Sequence, residues 1–242
     1  TSGSWRASRR SRRTRASGPD AVQFRLSPEL VALREEALEV ARRATEGLEV
    51  LEDSWMVGAS SEFARTLGER GWLGMTWPVE EGGHGRSPLE RFVVFEALIG
   101  EGAPVATSWF ADRQIGPTLL QFGTSEQRAR WLPEIVAGTS AWCIGMSEPD
   151  AGSDVASLRT TARRRGDVWV VDGQKVWTSG AATADWCYLV ARTDPDAPVH
   201  EGLSELVVDM RSPGIEVRPI VDITGSEHFC EVRFDGVEVP AE

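Results

Sequence analysis

The stretch VWVVDGQKVW, residues 168–177, decides the fold class of this chain. It is rich in β-branched and aromatic residues, and it contains an Asp-Gly pair, the strongest short signal for a tight β-hairpin. It predicts two strands, 168–171 and 174–177, joined at Asp172-Gly173. A similar hairpin is predicted for 231–234 and 237–239 across Asp235-Gly236, and further strands are predicted at 186–191, 203–210 and 215–220.

Upstream of residue 140 the apolar residues recur every three or four positions, which is typical of amphipathic helices. Ser27-Pro28 supplies an N-cap followed by proline at the first helical position, and a second helix is expected from about Ser61 to Gly71. Capping boxes at Ser87 and Thr124 predict two more helices. An all-α part followed by an all-β part indicates an α+β chain with segregated domains. We expect a helical N-terminal domain at 27–139 and an antiparallel, barrel- or sandwich-like middle domain at 140–242.

The charge of the 242 residues is unevenly distributed. The formal net charge is -11, from 26 basic and 37 acidic residues. Six arginines fall in the first fifteen residues, so residues 16–242 carry 20 basic and 37 acidic residues. This acidic body argues against nucleic acid as a partner, because phosphate binding needs clustered basic residues.

The arm at 1–26 lacks the amphipathic apolar face of a transit peptide, so we expect it to be a disordered extension.

Several classes of site are excluded by pattern. The apolar runs are far shorter than a membrane span. The sequence holds neither GxGxxG nor a P-loop, and its three histidines, His84, His200 and His228, lack ligand spacing. Three widely spaced cysteines without a CxxC pair suggest neither a disulfide framework nor a zinc site. A reducing cytoplasmic location is therefore expected.

Two segments carry candidate chemistry. MSEPDAGSD, residues 146–154, combines turn residues with hydroxyls and backbone amides that can hold a phosphate or the polar edge of a ring. Its alternative interpretation is a polar connection between the two parts of the chain. KVWTSG, residues 175–180, places an aromatic plane and two hydroxyls at a strand end. Taken alone, Trp177 fits a core position better than a cofactor platform.

The order of these motifs resembles the acyl-CoA dehydrogenase family of flavoproteins, from about residue 27 to the end. EPDAGSD, DGQKVWTSGA and ADWCYLVARTDP are similar to the family's middle domain, and ITGSEHFCEVRFDGVEVP to the end of that domain. GWLGMTWPVEEGGHG and GPTLLQFGTSEQRARWLPEIVAG are similar to its helical N-terminal domain. The resemblance implies FAD as cofactor and an acyl-CoA as substrate.

The resemblance also implies roles for individual residues. Ser147 would bond the polar edge of the flavin, and Ser153 would contact the FAD pyrophosphate and lie near the acyl-CoA. The Trp177 indole would cover the flavin face opposite the substrate, with a neighbouring hydroxyl near N5. The family often has Thr at the position of Ser147 and Gly at that of Asp150, whose carboxylate must then point to solvent. The full set of implied cofactor-binding residues is Ile144, Gly145, Met146, Ser147, Ser153, Trp177, Thr178 and Ser179.

The implied reaction is α,β-desaturation of an acyl thioester, with hydride transfer to flavin N5 and electrons passing to an electron-transfer flavoprotein. In the family the base is usually a Glu in a third, C-terminal helical domain that also builds an oligomer, commonly a homotetramer. No catalytic base is therefore assigned among these 242 residues, and this stretch alone is expected to be inactive. Glu148 is interpreted as a loop-bracing residue. The alternatives are an acyl-CoA oxidase or flavin hydroxylase on the same fold, or a non-catalytic subunit or binding module.

Two further features have two interpretations each, and a third, Lys175, has one. The arginines at 163–165 suit either CoA phosphates or, more simply, a solvated strand end. Trp109 and Phe110 suit either the border of an acyl tunnel or the core of the helical part. Lys175, the only lysine, is expected to pack in a strand and form a local ion pair.

Overall fold

The computed structural model describes residues 25–50 and 53–241. The arm expected at 1–26 therefore lies outside the described residues, apart from its last two. The described helices are α1 (Pro28–Thr45), α2 (Ser54–Val57), α3 (Ser61–Glu69), α4 (Pro88–Gly100), α5 (Ala106–Phe110), α6 (Gly116–Phe122) and α7 (Ser125–Val136). A 3₁₀ turn lies at Val79–Glu81, and a π-helical turn at Ala111–Ile115 joins α5 to α6.

The helix starts follow the capping signals of the sequence. The Ser27 side chain accepts a hydrogen bond from the Leu30 amide, and Pro28 occupies the first turn of α1. The capping boxes predicted at Ser87 and Thr124 both form. Helix α3 ends at Glu69, and Gly71 follows with a φ of +65°. These local predictions are confirmed because caps satisfy backbone groups that a helix end leaves free.

The strands follow the helices in a single seven-stranded sheet. They are β1 (Trp142–Gly145), β2 (Thr161–Arg165), β3 (Val168–Lys175), β4 (Trp186–Arg192), β5 (Leu203–Asp209), β6 (Ile215–Ile220) and β7 (Phe229–Pro240). Their order is β1-β4-β2-β3-β7-β6, with β5 also paired to β4. The sheet is curled into a half-barrel and is mainly antiparallel, but β1 runs parallel to β4. The helical part followed by this sheet confirms the α+β fold class.

Both predicted Asp-Gly hairpins are wrong. Strand β3 runs straight through Asp172-Gly173, and β7 runs straight through Asp235-Gly236, because the two strands pair with each other on both sides of these dipeptides. The register shifts there, so that two residues of β7 oppose one residue of β3, as in a β-bulge. Gly236 has a φ of +63°, and its amide donates to Asp172 Oδ1 at 2.9 Å. Gly173 and Gly236 are therefore part of a bulge inside the sheet and not of hairpin turns.

The two parts of the chain meet in a cluster of tryptophans. Trp131 of α7 packs edge-on against Trp142 of β1 and Trp186 of β4, with ring centroids 6.3 and 5.9 Å apart. This cluster links the helical core to the interior of the sheet and fixes how α5 and α7 lie against the strands. No helix within the described ranges is both long enough and apolar enough to cross a membrane.

Candidate functional site

The two segments with candidate chemistry lie side by side. Strand β1 leads into the loop that begins at Met146, and the end of β3 runs next to it. The Val176 amide donates to the Ser147 carbonyl at 2.9 Å, and Lys175 Nζ donates to the Met146 carbonyl at 3.1 Å. Residues 29 positions apart in sequence therefore form one continuous surface.

A buried ion pair holds these segments together. Lys175 Nζ lies 2.9 Å from Glu148 Oε1, and the two side chains are 0% and 6% exposed. The Glu148 carboxylate also accepts from the amides of Arg159 at 2.6 Å and Thr160 at 2.8 Å. Both interpretations, Lys175 as half of a local ion pair and Glu148 as a brace of the loop, are confirmed.

The environment sets the protonation of this pair. Burial raises the pKa of Glu148, but hydrogen bonds from Thr160, the Arg159 amide and Lys175 outweigh it, so the net pKa is lowered. Burial lowers the pKa of Lys175, and Glu148 opposes that shift. A carboxylate with a lowered pKa whose oxygens already accept three hydrogen bonds is a poor general base, because a base needs an accessible lone pair and a pKa near the working pH.

Trp177 stands out in its backbone and its exposure. Its φ is +60°, the one positive value at a non-glycine residue in the described ranges, and its side chain is 57% exposed. The segment is fixed there, because Thr178 and Cys230 exchange backbone hydrogen bonds of 3.0 and 3.1 Å. A bulky residue in this region costs roughly 1–3 kcal/mol, and such strain is concentrated at functional sites. The observation favours a platform over the core position that composition suggested.

Free hydroxyls flank the indole. Within the described residues, neither the Ser147 nor the Ser179 hydroxyl has a hydrogen-bond partner, and both residues are half-buried. The Thr178 hydroxyl is fully buried and also has no partner in that part of the chain. Unpaired polar atoms cost free energy that a ligand can recover. An aromatic plane with hydroxyls beside it fits a flat heteroaromatic ring with polar edges, as in a flavin.

The remaining candidate residues are spread along the loop. Ile144 and Gly145 end β1, and Met146 is 40% exposed next to the platform. Ser153 is exposed, and no hydrogen bond within the described ranges joins it to the other candidates. Asp150 faces solvent, where it pairs with Arg159 at 3.1 Å. That is the orientation required if a phosphate is to bind nearby.

An open cleft of about 270 Å³ borders the platform segment. Its helical wall includes Val57 of α2 and Ala106 and Phe110 of α5, and its sheet wall includes Ser179 and His228. Trp109 instead packs in the helical core, 5.5 Å from Trp55 and 5.6 Å from Phe95. Trp109 and Phe110 had the same two interpretations from the sequence, but only Phe110 borders the cleft. The place of the loop at 226–228 in the cleft wall was not predicted, because it depends on the long strand β7.

The arginines at 163–165 occupy the outer end of β2. All three are exposed. Arg164 stacks on Trp169, with its guanidinium carbon 5.8 Å from the ring centroid, and Arg165 pairs with Glu238. These contacts fit the interpretation of a solvated strand end.

Family comparisons cover both parts of the chain. Residues 27–139 match the family described as acyl-CoA dehydrogenase, N-terminal domain, and residues 143–237 match acyl-CoA dehydrogenase, middle domain. The two matches together account for most of the described residues and contain all the candidate site residues.

Individual proteins give the same result. The acyl-CoA dehydrogenase IpdE1 of Mycobacterium tuberculosis is 46% identical over 176 residues, which cover 73% of this chain and 46% of that protein. The solved structure of the Tcur3481-Tcur3483 steroid ACAD superposes with a TM-score of 0.83 at 38% identity, over 91% of this chain and 57% of that one. A glutaryl-CoA dehydrogenase from Mycobacterium smegmatis in complex with FADH2 superposes with a TM-score of 0.72 at 26% identity, over 89% and 55%. The chain spans about half the length of these relatives.

Proposed function

The chain belongs to the acyl-CoA dehydrogenase family, and from this premise we propose that it forms the FAD- and acyl-CoA-binding part of an acyl-CoA dehydrogenase. In this proposal residues 27–139 are the helical domain and 140–242 the middle domain. The reaction is α,β-desaturation of an acyl-CoA thioester in fatty-acid or related lipid oxidation. The observation that carries the proposal is the strained, exposed Trp177, together with the hydroxyls of Ser147 in the adjoining loop and of Ser179, which have no hydrogen-bond partner within the described residues.

Each residue of the platform has a task in this proposal. The Trp177 indole covers one face of the ring system and keeps water away from it, while Ser147 donates to its polar edge. Ser179 offers a second hydroxyl in the segment after β3, next to Thr178, whose hydroxyl is buried, and Ser153 is placed on the exposed loop for the pyrophosphate. Bound FAD supplies a two-electron acceptor for the hydride that leaves the substrate. Oriented donors stabilise charge that develops during such a transfer.

The ion pair of Lys175 and Glu148 acts as a positioning element. It fixes the loop carbonyl of Met146 against β3, so that Ser147 and Trp177 keep their relative positions. Preorganised donors are effective because they need no rearrangement when charge appears. Glu148 is therefore not proposed as the base that removes the α-proton.

The proposal includes the partners of the protein and its location in the cell. An electron-transfer flavoprotein is proposed as electron acceptor. The name of the Tcur3481-Tcur3483 structure joins two chains, and this supports a hetero-oligomer at least as well as the expected homotetramer. Cys143, Cys187 and Cys230 are free and buried, which is consistent with a reducing cytoplasm.

The test uses the protein expressed from its complete coding sequence. We expect it to purify yellow with bound FAD, and Trp177→Ala and Ser147→Ala to weaken FAD retention about tenfold, as expected for loss of a stacking face or a hydrogen bond. Flavin content by absorbance and FAD dissociation by equilibrium dialysis measure this effect. Ser212→Ala, in the turn after β5, is the matched control. A colourless protein that takes up no added FAD would rule out the proposal.

A further inference from the structure

The loop before β7 adds a polar wall to the cleft. Ser226, Glu227 and His228 line the cleft opposite the apolar helical wall that contains Phe110. The loop is anchored to the platform segment, because the Gly180 amide donates to the His228 carbonyl at 2.8 Å. The polar wall therefore lies directly beside Ser179, at the edge of the cofactor platform proposed above.

The imidazole of His228 is held in one orientation. Its Nδ1 lies 3.0 Å from Ser226 Oγ and 3.7 Å from Asp222 Oδ2. The ring stacks on Phe229, with centroids 3.8 Å apart, and the side chain is only 11% exposed. Contacts on the Nδ1 side and on one ring face fix the direction of Nε2, to which no hydrogen bond forms within the described residues. Within the described residues the cleft wall thus includes two hydrogen-bonding groups without a partner, Nε2 of the fixed His228 imidazole and the Ser179 hydroxyl.

The charges around the cleft determine which kind of chemical group can bind next to His228. No lysine or arginine occurs among the described residues that line the cleft, whereas Glu227 lines it and Asp222 stands behind His228. The Asp222 carboxylate is held ionised, because hydrogen bonds led by the Thr224 hydroxyl lower its pKa. An anionic group would meet these carboxylates with no lysine or arginine to compensate for them, while a purely apolar group would leave Nε2 without a partner.

We propose that this cleft takes an acyl group that bears a neutral oxygen function, a ketone or a hydroxyl, which forms a hydrogen bond with His228 Nε2. The proposal rests on the proposed function, because it concerns the acyl half of the same substrate. The helical wall contributes apolar contact, and His228 contributes selectivity. A site built to hydrogen-bond an oxygen discriminates against analogues that lack it, because the polar atom that the ligand covers is then left unpaired.

The test compares five thioesters of one chain length in the full-length, FAD-loaded protein. Octanoyl-CoA is compared with its 5-oxo, 6-oxo and 7-oxo derivatives and with the CoA monothioester of octanedioic acid, by titration calorimetry. We expect at least one oxo derivative to bind about tenfold more tightly than octanoyl-CoA, and the carboxylate to bind about tenfold more weakly, since tenfold is the scale of a single hydrogen bond or a repelled charge.

Two variants of His228 separate its roles. His228→Asn keeps a polar atom at the Nδ1 position for Ser226 but removes Nε2, so it should abolish the oxo preference without unfolding the loop. His228→Gln, which reaches the Nε2 position, should retain part of that preference, and His200→Asn on the exposed turn before β5 is the matched control. The inference is overturned if octanoyl-CoA binds as tightly as all three oxo derivatives, or if the preference survives His228→Asn. If none of the five thioesters binds, the proposed function fails as well.

Discussion

The helical part and the sheet each contain a buried ion pair, and the two pairs are built differently. Arg91 of α4 contacts Asp112 of the π-helical turn, with 22% and 1% of the side chains exposed. Lys175 of β3 contacts Glu148 of the candidate cofactor loop, with 0% and 6% exposed. The helical pair has one end near solvent, whereas the sheet pair is enclosed at both ends.

The two ion pairs differ in how many further hydrogen bonds their carboxylates accept and in whether their basic group can reach solvent. Asp112 accepts from a single backbone amide, that of Gly74 at 2.7 Å, and the arginine beside it can turn to water. Glu148 accepts from two backbone amides, and the ammonium of Lys175 has no route to solvent. A buried charge that loses its partner is costly, while a partly exposed one can be rehydrated. The sheet pair should therefore be the more sensitive of the two.

The largest expected effect is that of Lys175→Met. The substitution leaves Glu148 buried without a counter-charge, so the free energy of unfolding should fall by about 3–5 kcal/mol. Denaturation in urea, followed by tryptophan fluorescence, measures the loss. Adding Glu148→Gln to this variant should restore part of the stability, because the unpaired charge is then removed.

The control for this prediction is Arg165→Met. Arg165 pairs with Glu238 at the surface, with 67% and 56% exposed, so its loss should cost less than about 1 kcal/mol. Equal costs for the two substitutions would contradict the view that enclosure makes the sheet pair critical.

The next effect is expected from Asp112→Ala in the helical part. It leaves the Gly74 amide unsatisfied and frees Arg91, which can reach water, so a loss of about 2 kcal/mol is expected. Glu101→Ala, which removes a surface pair with Arg42, should cost less than about 1 kcal/mol. A loss from Asp112→Ala larger than that from Lys175→Met would reverse the ranking of the two pairs.

The same contrast explains what the sequence could and could not predict. Helix starts at Ser27, Ser87 and Thr124 were predicted because a cap acts within four residues of chain. The strand pairing at Asp172-Gly173 and Asp235-Gly236 could not be predicted in the same way. Two dipeptides 63 positions apart face each other there, and each has the local chemistry of a turn. The pairing of β3 with β7 determines that each dipeptide forms part of a bulge and not a turn. This dependence is usual for strands, because the conformation of a strand residue depends on its neighbours in the sheet.

The candidate site was predictable to a similar degree. The motif order pointed to Ser147 and Trp177, whose roles toward a cofactor stay predictions, whereas the interpretation of Lys175 and Glu148 as structural residues was confirmed. The position of His228 on the cleft wall could not be predicted, because a lone histidine before a strand has no distinctive spacing. The positive φ of Trp177 was equally hidden, since it results from the pairing of Thr178 with Cys230.

The pH dependence of stability should show the sheet pair separately. The pKa of Glu148 is lowered below its usual value of 4.5. Its contribution to stability is therefore fully present above pH 4.5 and is lost as the pH falls through the lowered value. Glu148→Gln should flatten the acid limb of a plot of unfolding free energy against pH, and an unchanged limb would contradict the assignment.

The smallest expected effect concerns the platform beside the sheet pair. Trp177→Gly removes a bulky side chain from a φ of +60°, where glycine carries no steric penalty. Because the indole is 57% exposed, little packing is lost. The FAD-free protein should therefore change in stability by no more than about 1 kcal/mol, and glycine should be at least as stable as alanine at this position. Thermal unfolding of both variants without FAD makes the comparison. If glycine is less stable than alanine, Trp177 is not strained in the free protein, and the platform would have to form only when the cofactor binds.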